Sequence, residues 1–96
     1  METERRLEHL LAVAAQLGLE VRREALGGSG GGVCKLKGNR VLFVDTSADA
    51  ETRYERVVAS MASLPEMADR HLPPAVREDL DRAANSARNP SAAPGP

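Results

Sequence analysis

The chain has no tryptophan and no isoleucine, and one tyrosine and one phenylalanine, Tyr54 and Phe43, are its only aromatic residues. Single-stranded nucleic acids are commonly held on stacked aromatic rings, so that mode of binding has no platform here. Its one cysteine, Cys34, cannot close an internal disulfide, which suits a reducing compartment. An excess of positive charge is missing too. Thirteen Lys and Arg face fourteen Asp and Glu, for a formal net charge of −1. No domain-wide basic field exists to attract nucleic acid or an anionic membrane, so neither is expected as a partner. Nor does any stretch approach the ~20 continuous apolar residues that span a bilayer. The opening "METERRLEHLLAVAAQLGLE" is broken by Glu2, Glu4, Glu8 and His9, and its apolar residues fall at helical spacing. It reads as a helix and not as a signal peptide, and the expected location is the cytoplasm.

What the chain does contain is the material for one small domain. Residues 1–84 carry the large apolar side chains, mainly Leu, Val, Ala and Met. Residues 85–96, "NSARNPSAAPGP", have three prolines and no large apolar side chain. Such a segment cannot offset the entropy lost on ordering, so a disordered tail is expected there. Leu7, Leu10, Leu11, Ala14 and Leu17 share one face of a helix over residues 3–17, with Thr3 as its cap and Gly18 as its stop. "LEVRREAL" alternates like a short edge strand. Later, "DTSADAETRYERVVASMASLP" has Thr46 or Ser47 as helix cap, a stripe of Tyr54, Val57, Val58, Met61 and Leu64, and Pro65 as terminator. "EMADRH" reads as a connection or one loose turn. "LPPAVREDLDRAA" then predicts a third helix, with Val76, Leu80 and Ala83 on one side.

The sharpest signal is "VCKLKGNRVLFVD", two apolar runs about Gly38-Asn39, a pair suited to a tight hairpin turn. A loop of those two residues sets Lys37 opposite Arg40, Leu36 opposite Val41 and Cys34 opposite Phe43. One face then holds Cys34, Leu36, Val41 and Phe43 and is expected to meet the core. The other holds Val33, Lys35, Lys37, Leu42 and Val44. Its apolar end, Val33, Leu42 and Val44 together with Val21 of the preceding strand, is expected to be covered by a partner. The fold class is α+β, a three-stranded, mainly antiparallel sheet packed against helices in the order α-β-β-β-α-α.

Between the first two strands lies "GGSGGG", Gly27 to Gly32. Phosphate loops aim successive backbone amides at an anion at the start of a helix. These glycines precede a strand instead, and Val33, Cys34 and Lys35 stand where a nucleotide-binding loop has its Lys and Ser or Thr. Three readings stay open, one of them a loop that orders against a partner. The glycines are a connector between strands, or Gly28, Gly30, Gly31 and Lys35 form a backbone nest for a small anion or nucleotide, with Lys37 or Arg40 adding charge. Elsewhere Cys34 lacks a neighbouring base, and Lys35 and Lys37 point to the opposite sheet face. Neither His9 nor His71 has metal-like spacing to a second ligand. Glu66, Asp69 and His71 sit close in sequence with no periodic element to aim them at one point. No metal, cofactor or catalytic set is expected. The hypothesis of a cryptic hydrolase rests on Cys34 alone.

The succession of a helix ending in "LGLEV", a glycine turn, a hairpin and then "NRVLFVDTSADAETRYERVVASMASL" resembles bacterial zincin-like metallopeptidase domains of the ImmA/IrrE kind over about residues 7–64. In that family the second helix carries a His-Glu-x-x-His motif. The matching positions here are Ala59, Ser60 and Ser63, none of which supplies imidazole or carboxylate. The resemblance implies a zincin-like half fold of a bacterial protein without its metal site, and no functional residue is carried over. The leading expectation is therefore a small, non-catalytic protein-interaction or accessory domain, self-associating as a homodimer or homo-oligomer. Anion or nucleotide binding at the glycine loop is the alternative.

Overall fold

The computed structural model describes residues 2–28 and 31–88, excluding the side chains of 87 and 88. Helix α1 (Thr3–Gln16) is followed by strands β1 (Glu20–Glu24), β2 (Gly31–Leu36) and β3 (Asn39–Asp45). Helix α2 (Ala50–Ala62), a 3-10 turn η1 (Pro65–Asp69) and helix α3 (Pro74–Arg88) complete the chain. The α+β class and the element order are those the sequence predicts. Helix α3 carries residues 85–88, where the tail was expected to begin; the rest of that tail, 89–96, lies outside the described residues.

The helices form where apolar spacing places them. α1 buries Leu7, Leu10, Leu11, Val13 and Ala14, and α2 buries Tyr54, Val57, Val58 and Met61. Gly18 ends α1 at φ +88°, and the chain folds back so that Leu19 N–H donates to the Ala14 carbonyl at 3.0 Å and Gly18 N–H to that of Ala15 at 3.1 Å. That pair of bonds satisfies carbonyls a helix end otherwise leaves open. The caps differ from the expected ones. Glu2 precedes α1 without a side-chain cap bond, and the Thr3 hydroxyl donates to Glu51 instead. α2 is capped by Asp49, which accepts from Thr52 N–H at 2.7 Å, and not by Thr46 or Ser47. Those two residues belong to the turn that leaves β3. Accepting the Thr52 amide holds the Asp49 carboxyl below its ordinary range.

The sheet is mixed, with strand order β1-β3-β2, and this corrects the mainly antiparallel sheet that was expected. β2 and β3 form the predicted hairpin, but β1 runs parallel to β3 on its other side. The hairpin loop is Lys37-Gly38, with Leu36 opposite Asn39 and Cys34 opposite Val41. This register places glycine at the second loop position, φ +83°, while Lys37 takes φ 50° at the first. A loop at Gly38-Asn39 would ask asparagine to hold the wider positive angle, which glycine holds more easily. The two-residue offset leaves the grouping of side chains by face unchanged.

Which group faces the core is the reverse of the expectation. Leu42 (0 % exposed) and Val44 (2 %) are fully in the core, with Val21 and Val33 half-buried against it. These four are therefore internal packing residues and not a partner interface. The first strand decides the matter. Register sets Val21 beside Leu42 on the inner face and puts Glu20, Arg22 and Glu24 on the outer one with Val41, Phe43 and Asp45. Burying that charged row would leave its ions without water.

Helices α1 and α2 cover the inner face, α3 and η1 pack against α2, and Leu10, Val57, Met61 and Val76 are wholly buried in the core so formed. Arg77 of α3 donates to the carbonyls of Met67 and Arg70, tying η1 to the last helix. At the hairpin end, Arg40 donates to Glu66 at 2.7 Å and 3.3 Å and fastens β3 to η1. The guanidinium hydrogen bond lowers the Glu66 pKa and raises that of Arg40. A depressed carboxylate stabilises the fold above its unfolded value near 4.3 and loses that contribution as pH falls through the lower folded value. Melts from neutral pH into acid will therefore show part of the acid loss in the wild type and not in Glu66→Gln. Equal acid slopes in the two proteins would mean that this exposed pair contributes nothing measurable.

Candidate functional site

The open side of the sheet and the glycine crossing at its end make up the candidate site. Because β1 and β2 flank β3, the connection between them must cross the end of β3, spanning two inter-strand gaps, ~10 Å. Asp45, the last residue of β3, stands under that crossing and is 0 % exposed. Its Oδ1 accepts from Leu26 N–H at 2.8 Å and Ser47 N–H at 2.8 Å. Its Oδ2 accepts from Gly28 N–H at 2.6 Å. Thr46 N–H donates to the Glu24 carbonyl at 2.9 Å and continues the parallel ladder past the carboxylate. Backbone amides compensate the charge of a buried carboxylate through charge-assisted hydrogen bonds.

This arrangement decides what the glycines do. Gly27 and Gly28 have φ of +88° and +93°, which turn their backbone over Asp45. Gly31 has φ +95°, and a Cβ there would stand 2.0 Å from the Phe43 carbonyl oxygen. At Gly32 a Cβ would stand 3.3 Å from Ser60 Oγ of α2. Strand β2 thus lies against both its neighbour strand and the helix at a separation that glycine permits. Of the residues expected to nest an anion, Gly28 gives its amide to Asp45, Gly31 is pressed on β3, and Lys35 lies four residues along the strand. Gly30 lies outside the described residues. The loop therefore encloses an anion that the chain itself supplies. Asp45 was not singled out in the sequence. The available signal was an acid closing the apolar run "VLFVD", ahead of a turn and facing a glycine segment.

Beyond the crossing, the outer face divides into two halves. On β1, Arg22 bridges Glu20 at 2.9 Å and Glu24 at 3.8 Å, so one guanidinium serves two carboxylates and the row keeps a net negative charge. On β2 and β3 the face carries Cys34, Leu36, Val41 and Phe43. Cys34 is exposed and Leu36 is 43 % exposed, whereas Val41 is sheltered at 3 %. A shallow cavity of about 330 Å³ lies elsewhere, among the helices; the one on this face is about 310 Å³ and is lined by Glu20, Arg22, Leu36, Lys37, Asn39 and Val41. The Cys34 thiol is on the sheet face turned away from the helix layer that carries His9. His71 lies in the segment ahead of α3, and the two histidines and the thiol belong to separate parts of the fold.

The helix layer has two further concavities. In the 330 Å³ one, Tyr54 donates to Asp79 Oδ2 at 2.6 Å, Arg6 reaches the same oxygen at 3.0 Å, and Arg82 stands 3.4 Å from Oδ1. Burial, and then the Asp79 carboxylate, push the Tyr54 hydroxyl well above its ordinary pKa, so it stays a donor. This cluster ties α1, α2 and α3 together. The other is a groove of about 460 Å³ between α2, η1 and α3, with Ala59 and Ser63 on its wall. These are two of the three positions matched to the zincin motif; the third, Ser60, lies beside Gly32. Among the described residues no three His, Cys, Asp or Glu side chains gather as a metal site, and no helix is long and apolar enough to cross a membrane. Compared with protein-family models, characterised proteins and solved structures, the chain has no match.

Proposed function

We propose that this chain is a small non-catalytic protein-interaction domain that self-associates through the β2 side of its open sheet, in a reducing compartment such as the cytoplasm. The observation that carries the reading is that outer face. One half is a charged row in which Arg22 bridges Glu20 and Glu24, and the other sets Leu36 and the free thiol of Cys34 in solvent beside Phe43 and Val41. The β2–β3 half is the one that gains by association, since bringing its apolar residues against a second copy removes apolar area from water at ~25 cal/mol per Å². The glycine segment acts as internal scaffold, since its amides at Leu26 and Gly28 serve Asp45.

Light scattering coupled to size-exclusion chromatography tests the reading across a range of protein concentrations. The expected result is a mass above that of the 10.3 kDa chain, with Leu36→Glu shifting the equilibrium toward monomer. Leu36 is exposed, so the substitution leaves the core untouched. A monomer at every concentration counts against the proposal.

A further inference from the structure

We infer that the self-association proposed above, on which this inference rests, is an antiparallel pairing of β2 with β2 of a second copy about a two-fold axis at Val33. Among the described residues both outer strands of the sheet have an unpaired edge, because β3 is central. They differ in what pairing would bring together. Full-length antiparallel pairing of β1 with its own copy centres on Arg22. It sets Arg22 against Arg22 and Glu20 against Glu24 of the second copy. Like charges directly opposite repel, so full-length self-pairing of that edge is disfavoured.

The β2 edge has the opposite character. Its six residues, Gly31 to Leu36, include one charge, Lys35. Leu36 and Asn39 flank a two-residue loop and so form the hydrogen-bonded pair that closes the hairpin. Alternation along the strand then turns the N–H and C=O groups of Cys34 and Gly32 toward β3. Those of Gly31, Val33 and Lys35 point to the free edge. Opposed residues in one continuous sheet must also share a face. Centring the axis on Val33 satisfies both conditions over the whole strand. Val33 exchanges bonds with Val33, and Gly31 with Lys35 in each direction, for about six cross-strand hydrogen bonds. Lys35 lies opposite a glycine, which has no side chain to oppose it. Ser60, the residue of α2 beside Gly32, is small. The outer-face residues Cys34 and Leu36 of the two copies then form one patch across a six-stranded sheet.

The register fixes where the lone thiols fall. Cys34 stands opposite Gly32 of the second copy, so the two sulfurs are diagonal neighbours, with Cα atoms ~7–8 Å apart. That separation exceeds what a disulfide tolerates, yet a short bismaleimide bridges it. A slip that centred the axis on Cys34 would put the thiols face to face and oxidise them readily. Two measurements on the full chain test the inference. Lys35→Pro removes an N–H that faces the free edge, on an exposed side chain, so β3 pairing survives. Light scattering should show dimerisation weakened at least ~10-fold in this variant, with an unchanged circular dichroism spectrum. Wild-type protein should cross-link through Cys34 with a short bismaleimide and should resist direct oxidation to a disulfide-linked dimer. If Lys35→Pro proves unfolded, the cross-linking of the wild type decides. A dimer that Lys35→Pro leaves intact while Leu36→Glu dissolves it overturns the edge pairing and keeps the proposed function. Rapid disulfide formation or no cross-link overturns this register, and a strict monomer overturns both readings.

Discussion

Gly31→Ala will cost about 4 kcal/mol of folding stability, whereas Gly27→Ala, only four residues earlier, will cost about 1. Both positions have φ near +90°, where an L side chain is strained. They share that penalty and differ in surroundings. At Gly27 nothing lies within 4 Å of a new Cβ. At Gly31 the same atom would stand 2.0 Å from the Phe43 carbonyl oxygen and 2.7 Å from its carbon. Those are backbone atoms of the central strand, with no rotamer to change. Relief requires β2 to move off β3, and that breaks the ladder at Gly31 opposite Val44. Against a typical domain stability of ~5–15 kcal/mol the loss is large. Urea unfolding of the two variants beside the wild type measures the difference. Equal midpoints for Gly27→Ala and Gly31→Ala would mean that β2 can withdraw from β3 at little cost.

Why the sequence left the role of the glycines open follows from that contact. A run of glycines signals freedom of φ, but it does not say whether the freedom serves a ligand, a linker or close backbone packing. Here the deciding atoms belong to Phe43 and Ser60, far along the chain. The helices were legible because their apolar spacing is local: Leu7, Leu10 and Leu11, or Val57, Val58 and Met61, each mark a buried stripe. The hairpin was legible for the same reason, and its side chains were grouped correctly by face. The core side was misread because the hairpin alone offers two half-apolar faces. The vote that settles it comes from Glu20, Arg22 and Glu24 on a strand whose place in the sheet is a long-range fact. Parallel pairing of β1 with β3 is likewise invisible in "LEVRREAL". It requires the chain to cross the end of a strand not yet encountered, and short connections ordinarily favour the adjacent antiparallel hairpin.

Asp45→Asn is the variant that tests how that crossing is held, and it will lower stability by about 2–3 kcal/mol. The donors to the two carboxylate oxygens include the amides of Leu26 and Ser47 at Oδ1 and Gly28 at Oδ2. Asparagine keeps one oxygen and turns an N–H₂ group toward the remaining amide, so donor meets donor in a place water does not reach. It also removes the negative charge that these dipoles compensate. Leu26 and Gly28 lose their anchor on the crossing segment, and Ser47 loses its anchor in the turn that leads to α2. Amide hydrogen exchange should therefore speed up at Leu26 and Gly28 well before it does in the core helix α2. Asp45→Ala leaves all these donors without that carboxylate and should exceed the loss in Asp45→Asn. Glu24 serves as the contrast: it is exposed, its side chain contacts Arg22 at 3.8 Å, and Glu24→Gln should change stability by no more than about 0.5 kcal/mol. If Asp45→Asn unfolds at the wild-type denaturant concentration with unaltered exchange at Leu26 and Gly28, the carboxylate does not hold the loop. The glycine amides would then be free to take an anion from solution, and phosphate or a nucleotide should raise the melting temperature of that variant.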